Sequence, residues 1–115
     1  MSSVRLPSEV HWDINGPLTA LAGGGQTGAP ALSGSKMNRV TVVATAADSV
    51  KMPLADTLGR QLIVINSTAN SLNVFPFLGD SINALSANTA FAVAAGKMAI
   101  FNSPAPNIWF VLLSA

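Results

Sequence analysis

The chain has no cysteine, no tyrosine and a single histidine among its 115 residues. Without cysteine there are no disulfide staples and no thiolate metal ligands, and the redox compartment is left open. Charge is scarce as well, at 10% of residues against roughly 25% in ordinary globular domains. From Gln61 to Ala115 only Asp80 and Lys97 are charged. With a net charge of +1 and no block of Lys and Arg, neither a nucleic acid nor a membrane is an expected partner. The longest apolar run, Ile108 to Leu113, is the length of a strand, far short of the roughly 18 residues that cross a bilayer. The N-terminus, MSSVRLPSEVHWDINGP, has no apolar core behind Arg5, so no signal peptide is expected.

What the chain does have is apolar residues, at 50% of the total. A domain of this length buries about two-thirds of its unfolded surface, and the remainder must face something. Obligate interfaces are apolar and poor in charge, so this composition points to a structural protein that assembles.

Residues 1–37 differ from the rest. Pro7, Gly16, Pro17, Gly23 to Gly25, Gly28, Pro30 and Gly34 leave no room for a long regular element. Large apolar side chains lie between these breakers, whereas a disordered tail would be low in them. Met1 to Leu21 therefore reads as an extended arm and Ala22 to Lys36 as a flexible joint. Val10, Trp12, Ile14 and Leu18 are the residues with which such an arm would dock on a partner or a neighbouring subunit.

Residues 38–115 read as a β-domain. Arg39 to Ala44 is β-branched, and Ser49 to Met52 alternates toward Pro53. Leu54 to Arg60 fits one helical turn or a loop. Gln61 to Ile65 is nearly all apolar, as in a strand buried on both faces. Ser71 to Phe75, Ser81 to Leu85, Ala90 to Ala94 and Lys97 to Phe101 are further strands. Ser103 to Pro106 reads as a rigid loop, and Ile108 to Leu113 as a last strand. Seven to eight short strands about ten residues apart indicate an all-β fold, a compact sandwich or small barrel. No exact internal repeat is visible.

Catalytic chemistry needs titratable groups brought together. His11 could in form join Asp13 or Asp48 and a serine, but it would put the general base on the segment richest in breakers. Glu9, Asp13, Asp48, Asp56 and Asp80 are well separated, and most adjoin turns, where Asp bonds its own backbone. The stretch GAPALSGSK, Gly28 to Lys36, departs from a phosphate loop in its spacing and has Ser35 where lysine should stand. No enzyme activity, metal or cofactor is expected. Asn66, Asn70, Asn88 and Asn102 suit turns, and Asn66-Ser67-Thr68 is a glycosylation sequon in form only. Asn73 and Asn83 fall inside alternating strands. There they could serve as uncharged interface groups, beside the aromatics Phe75, Phe77 and Phe91. A stacking platform on the aromatics is the other reading, and it would want neighbouring cations, of which only Lys97 is close in sequence.

Four stretches carry a likeness to a known group. They are GGGQTGAPAL (Gly23 to Leu32), NRVTVVATAADSVKMP (Asn38 to Pro53), LIVINSTANSLNVFPFLGDSINALSANTAFAV (Leu62 to Val93) and AAGKMAIFNSPAPNIWFVL (Ala94 to Leu112). Together they resemble small tailed-phage virion proteins, in particular capsid decoration, or cement, proteins. Similar modules occur in phage fibres. The resemblance implies a homotrimer on the outer surface of a capsid, made in the host cytoplasm, with the major capsid protein as partner and no catalysis. It also leaves a fibre or glycan-recognising receptor-binding role open. Met1 to Leu21 lies outside it.

Overall fold

The computed structural model describes residues 14–33, 37–55 and 60–114. Among them are nine strands and no helix. The strands are β1 (Ile14–Thr19), β2 (Met37–Val42), β3 (Ser49–Lys51), β4 (Arg60–Asn66), β5 (Leu72–Phe75), β6 (Ser81–Ile82), β7 (Phe91–Val93), β8 (Met98–Ala105) and β9 (Ile108–Leu113). They form a six-stranded sheet in the order β1-β2-β4-β8-β9-β6 and a three-stranded sheet in the order β3-β5-β7.

The all-β expectation holds, but the arrangement is a coil rather than a sandwich or barrel. From β1 onward the chain crosses from one sheet to the other with nearly every element. On the large sheet β1, β2 and β4 run parallel, and Ile14, Met37 and Ile63 come into register side by side. On the small sheet Ala31, Lys51 and Phe75 do the same. Each turn thus stacks on the one before it, as in a solenoid. The winding ends with β7, β8 and β9, which pair antiparallel to β5, β4 and β8. Alternation and turn spacing read alike for parallel and antiparallel neighbours, so the sequence pattern could not separate the two architectures.

Side chains alternate across the coil wall as the strand period of two requires. Val40, Leu62, Val64, Phe101 and Trp109 point inward and are fully buried, and Val50, Leu72 and Val74 meet them from the small sheet. Phe91 packs edge-on against Phe101, with ring centres 6.2 Å apart. In β4 only one face is in the core, since Ile63 and Ile65 on the other are half-buried. The strand expected to be covered on both sides is covered on one.

The stretch read as arm and joint is, where described, part of the coil. Ile14–Thr19 is an edge strand and Leu18 packs against the core. Ala20, Ala29 and Leu32 are buried, and Leu21 and Ala31 bridge to β3. Glycines there serve close packing as well as turning. Gly24 has φ +70°, and a Cβ on it would run into the Ala47 carbonyl. Val10 and Trp12 lie outside the described residues, as does most of the possible helical turn, Asp56 to Gly59.

Two strands differ most in length from expectation. Ser81 to Leu85 stops at Ile82, because Asn83 adopts φ 53°. The Asn83 N–H donates to the Trp109 carbonyl at 2.7 Å, and its Oδ1 accepts from the Val111 N–H at 3.1 Å. Ser103 to Pro106 is not a loop throughout, because β8 runs on to Ala105. An irregularity between Asn102 and Ala105 takes up Pro104, which has no N–H to give the ladder.

Buried polar side chains close the turns. Asn66 Nδ2 donates to the carbonyls of Asn70, Val93 and Ala94 at 2.8, 3.0 and 3.3 Å, and its Oδ1 accepts from the Thr68 hydroxyl at 2.7 Å. Asn38 Oδ1 accepts from the Ser33 N–H and the Asn15 amide, each at 2.8 Å. Asp48 accepts from the N–H groups of Thr45 and Gly23 at 3.1 and 3.3 Å. Asp80, which follows Gly79 at a turn, is 1% exposed and accepts from the Ala55 N–H at 2.9 Å.

Candidate interaction surface

The outward face of the six-stranded sheet is apolar. Pairing places Ile14 beside Met37, Met37 beside Ile63, Ile63 beside Ile100 and Ile100 beside Leu112. Alternation puts these five on one side of the sheet, in a row that crosses five strands. The next row holds Arg39, Ile65 and Met98. A third row on the same face, flanking the first on its other edge, holds Gln61, Asn102 and Phe110, with the Gln61 amide donating to Asn102 Oδ1 at 2.8 Å. Leu112 is 69% exposed, Ile14 63% and Phe110 49%.

Sheets with one face in water normally alternate apolar-in and polar-out. Here both parities are apolar in β4, β8 and β9, and Arg39 is the one charged residue in the three rows. Cross-strand pairing of such side chains stabilises the sheet locally, at roughly 0.2–1 kcal/mol per pair. It does not remove the exposed ends from water. A broad exposed apolar patch with polar residues at its margin is the ordinary mark of an interaction site. The face ends at β1, an edge strand that carries Pro17. Proline on an edge limits further strand addition there.

A second feature lies off the small sheet. Gln26, Thr27, Gly28, Lys51, Phe77 and Leu78 line a half-open hollow of about 320 Å³. Lys51 Nζ stands 5.9 Å from the centre of the Phe77 ring, within cation–π range. The Gln26 amide is held by the Pro76 carbonyl at 2.7 Å and Asn88 Oδ1 at 3.2 Å.

The residues expected at an oligomer interface are only partly brought together. Asn73 and Phe75 lie half-buried on β5, with Phe77 just beyond them. Asn83 is elsewhere, tying β6 to β9, and Phe91 turns toward the core. Of the expected docking residues, Ile14 is exposed in the apolar row, whereas Leu18 meets the chain's own core. Trp109 is fully buried. The outer row was missed although its signal was present. In Ile63 and Ile65, Met98 and Ile100, and Phe110 and Leu112, the parity opposite the core is as apolar as the core itself. No group of three or more His, Cys, Asp or Glu side chains forms among the described residues. The chain matches no known protein family, and no curated protein matches it.

Proposed function

We propose that this chain is a structural virion protein that decorates and stabilises a phage capsid as a homotrimer bridging capsid subunits. The observation that carries the assembling role is the apolar outer face of the six-stranded sheet, which crosses five strands with one charged residue. The threefold state, the capsid partner and the place on the outer capsid surface rest on the resemblance of Gly23 to Leu112 to decoration proteins. A shell under internal pressure is held by subunits that bridge its parts, and many weak contacts then act together through high effective concentration. The role is a binding one, without catalysis or cofactor.

Native mass and shell binding test this. The full chain is expected at three times its 11.8 kDa mass and to bind expanded heads saturably in many copies. A monomer at micromolar concentration, or no binding to heads, overturns it. The hollow beside Phe77 favours a second reading, a fibre or receptor-binding module for host glycans. An aromatic ring, a lysine and an amide around one concavity suit a sugar. A few copies per particle and saturable binding to host cells, lost in Phe77→Ala, would support that role instead.

A further inference from the structure

Two hydrogen-bonded turns wall the hollow off the small sheet. In one, the Ala29 N–H donates to the Gln26 carbonyl at 3.4 Å, and Thr27 and Gly28 line the hollow. In the other, the Asp80 N–H donates to the Phe77 carbonyl at 2.8 Å, and Phe77 and Leu78 line it. The Gln26 amide joins the two, because its Nε2 donates to the Pro76 carbonyl and to Asn88 Oδ1, which also takes the Gly79 N–H at 2.7 Å. A carbonyl only accepts, so this contact fixes which way the amide points. Lys51 enters from β3, where its N–H donates to the Pro30 carbonyl at 2.9 Å. Walls tied in this way stand formed before a ligand arrives, which lowers the ordering cost of binding.

The lining has unused capacity of three kinds. Lys51 Nζ has the Phe77 ring at 5.9 Å and no carboxylate partner among the described residues, since Asp48 and Asp80 are buried on backbone N–H groups. It is free to make charge-assisted hydrogen bonds to an anion. Gln26 Oε1 accepts from no group of the described chain, and so is open to a hydroxyl. Phe77 and Leu78, 38% and 70% exposed, supply an apolar wall. A volume of about 320 Å³ is at the small end for ligand sites, about 300–1,000 Å³, and suits one ring with its substituents. A hexuronic acid carries a carboxylate, hydroxyls and an apolar C–H face on a single ring. A fatty acid lacks the hydroxyls, and a neutral hexose would cover Lys51 without pairing it.

We propose that this hollow binds the carboxylate-bearing ring of an acidic glycan. The carboxylate meets Lys51 Nζ, the C–H face packs on Phe77 and Leu78, and a hydroxyl donates to Gln26 Oε1. This rests on the glycan reading given above and narrows it to one class of sugar.

Backbone amide shifts of the isotope-labelled full chain test it. Methyl glucuronoside and methyl galacturonoside are the acidic probes, and methyl glucoside and methyl galactoside the neutral ones. An acidic probe should move the Thr27, Gly28, Lys51 and Phe77 amides saturably at millimolar concentration. It should bind about tenfold more tightly than its neutral counterpart, the ordinary worth of a hydrogen bond to a charged group. That advantage should shrink as salt is raised. Lys51→Met keeps the apolar stem and should abolish the advantage, and Lys51→Arg should keep most of it. Equal affinity for acidic and neutral probes, or an advantage that survives in Lys51→Met, overturns the proposal and leaves the glycan reading standing. No saturable shift of these amides with any probe overturns both. The probe comparison uses the unaltered protein, so it decides the matter even where a variant does not fold.

Discussion

Asp80 shows what a single side chain does in this coil. It takes up the Ala55 N–H in a site closed to water, and its own carbonyl accepts from Asn88 at 2.9 Å. Asp80→Ala is expected to cost roughly 1.5–3 kcal/mol, because the N–H is left buried without a partner. The shift in urea midpoint at constant slope measures it. Gly24→Ala is expected to destabilise by about 1–3 kcal/mol, since a methyl there meets the Ala47 carbonyl and a positive φ besides. The same denaturation experiment reads it. At this scale the sequence was informative about most turns, although Asn102, read as a turn residue, lies within β8. Asn66 and Asn70 do close the turn between β4 and β5, and Asn88, at φ 66°, accepts from the Gly79 N–H at 2.7 Å. It was silent about Asp80, whose N–H partner lies 25 residues away. An aspartate before a strand reads the same whether it meets water or a distant loop.

Strands were the most legible elements. β9 spans the expected Ile108 to Leu113, and β2 to β5 fall within a few residues of expectation, because β-branched runs bounded by Pro, Gly and Asn report their own limits. The pairing of those strands was not legible. Ile14 and Met37 are neighbours only because the chain completes a turn between them, and no local signal records that. The site was hidden for the same reason. Ile63 and Ile100 belong to separate runs until the β4–β8 ladder sets them together. The β8–β9 hairpin offers a direct check. Leu112→Lys changes an exposed position, so stability should stay within about 0.5 kcal/mol of the parent. It puts a charge at the end of the apolar row, and the assembly proposed above should be lost by native mass measurement.

The whole molecule is a stack of turns in which each strand of the large sheet leans on its neighbours. β4 and β8 are flanked on both sides, whereas β1 and β6 are edges. Amide hydrogen exchange is therefore expected to be slowest at Val64 and its neighbours in β4 and β8, and fastest in β1 and β6. Uniform protection across the large sheet would contradict that order.

The burial of Asp48 and Asp80 reaches beyond their hydrogen bonds. Both described carboxylates are turned inward, 3% and 1% exposed, while Arg39 is open to solvent and Lys51 and Lys97 are partly so. Among the described residues the side-chain charges that meet solvent are therefore cations. The field of each such cation reaches about a Debye length into solvent, roughly 10 Å at 0.1 M salt, and shortens as salt is raised.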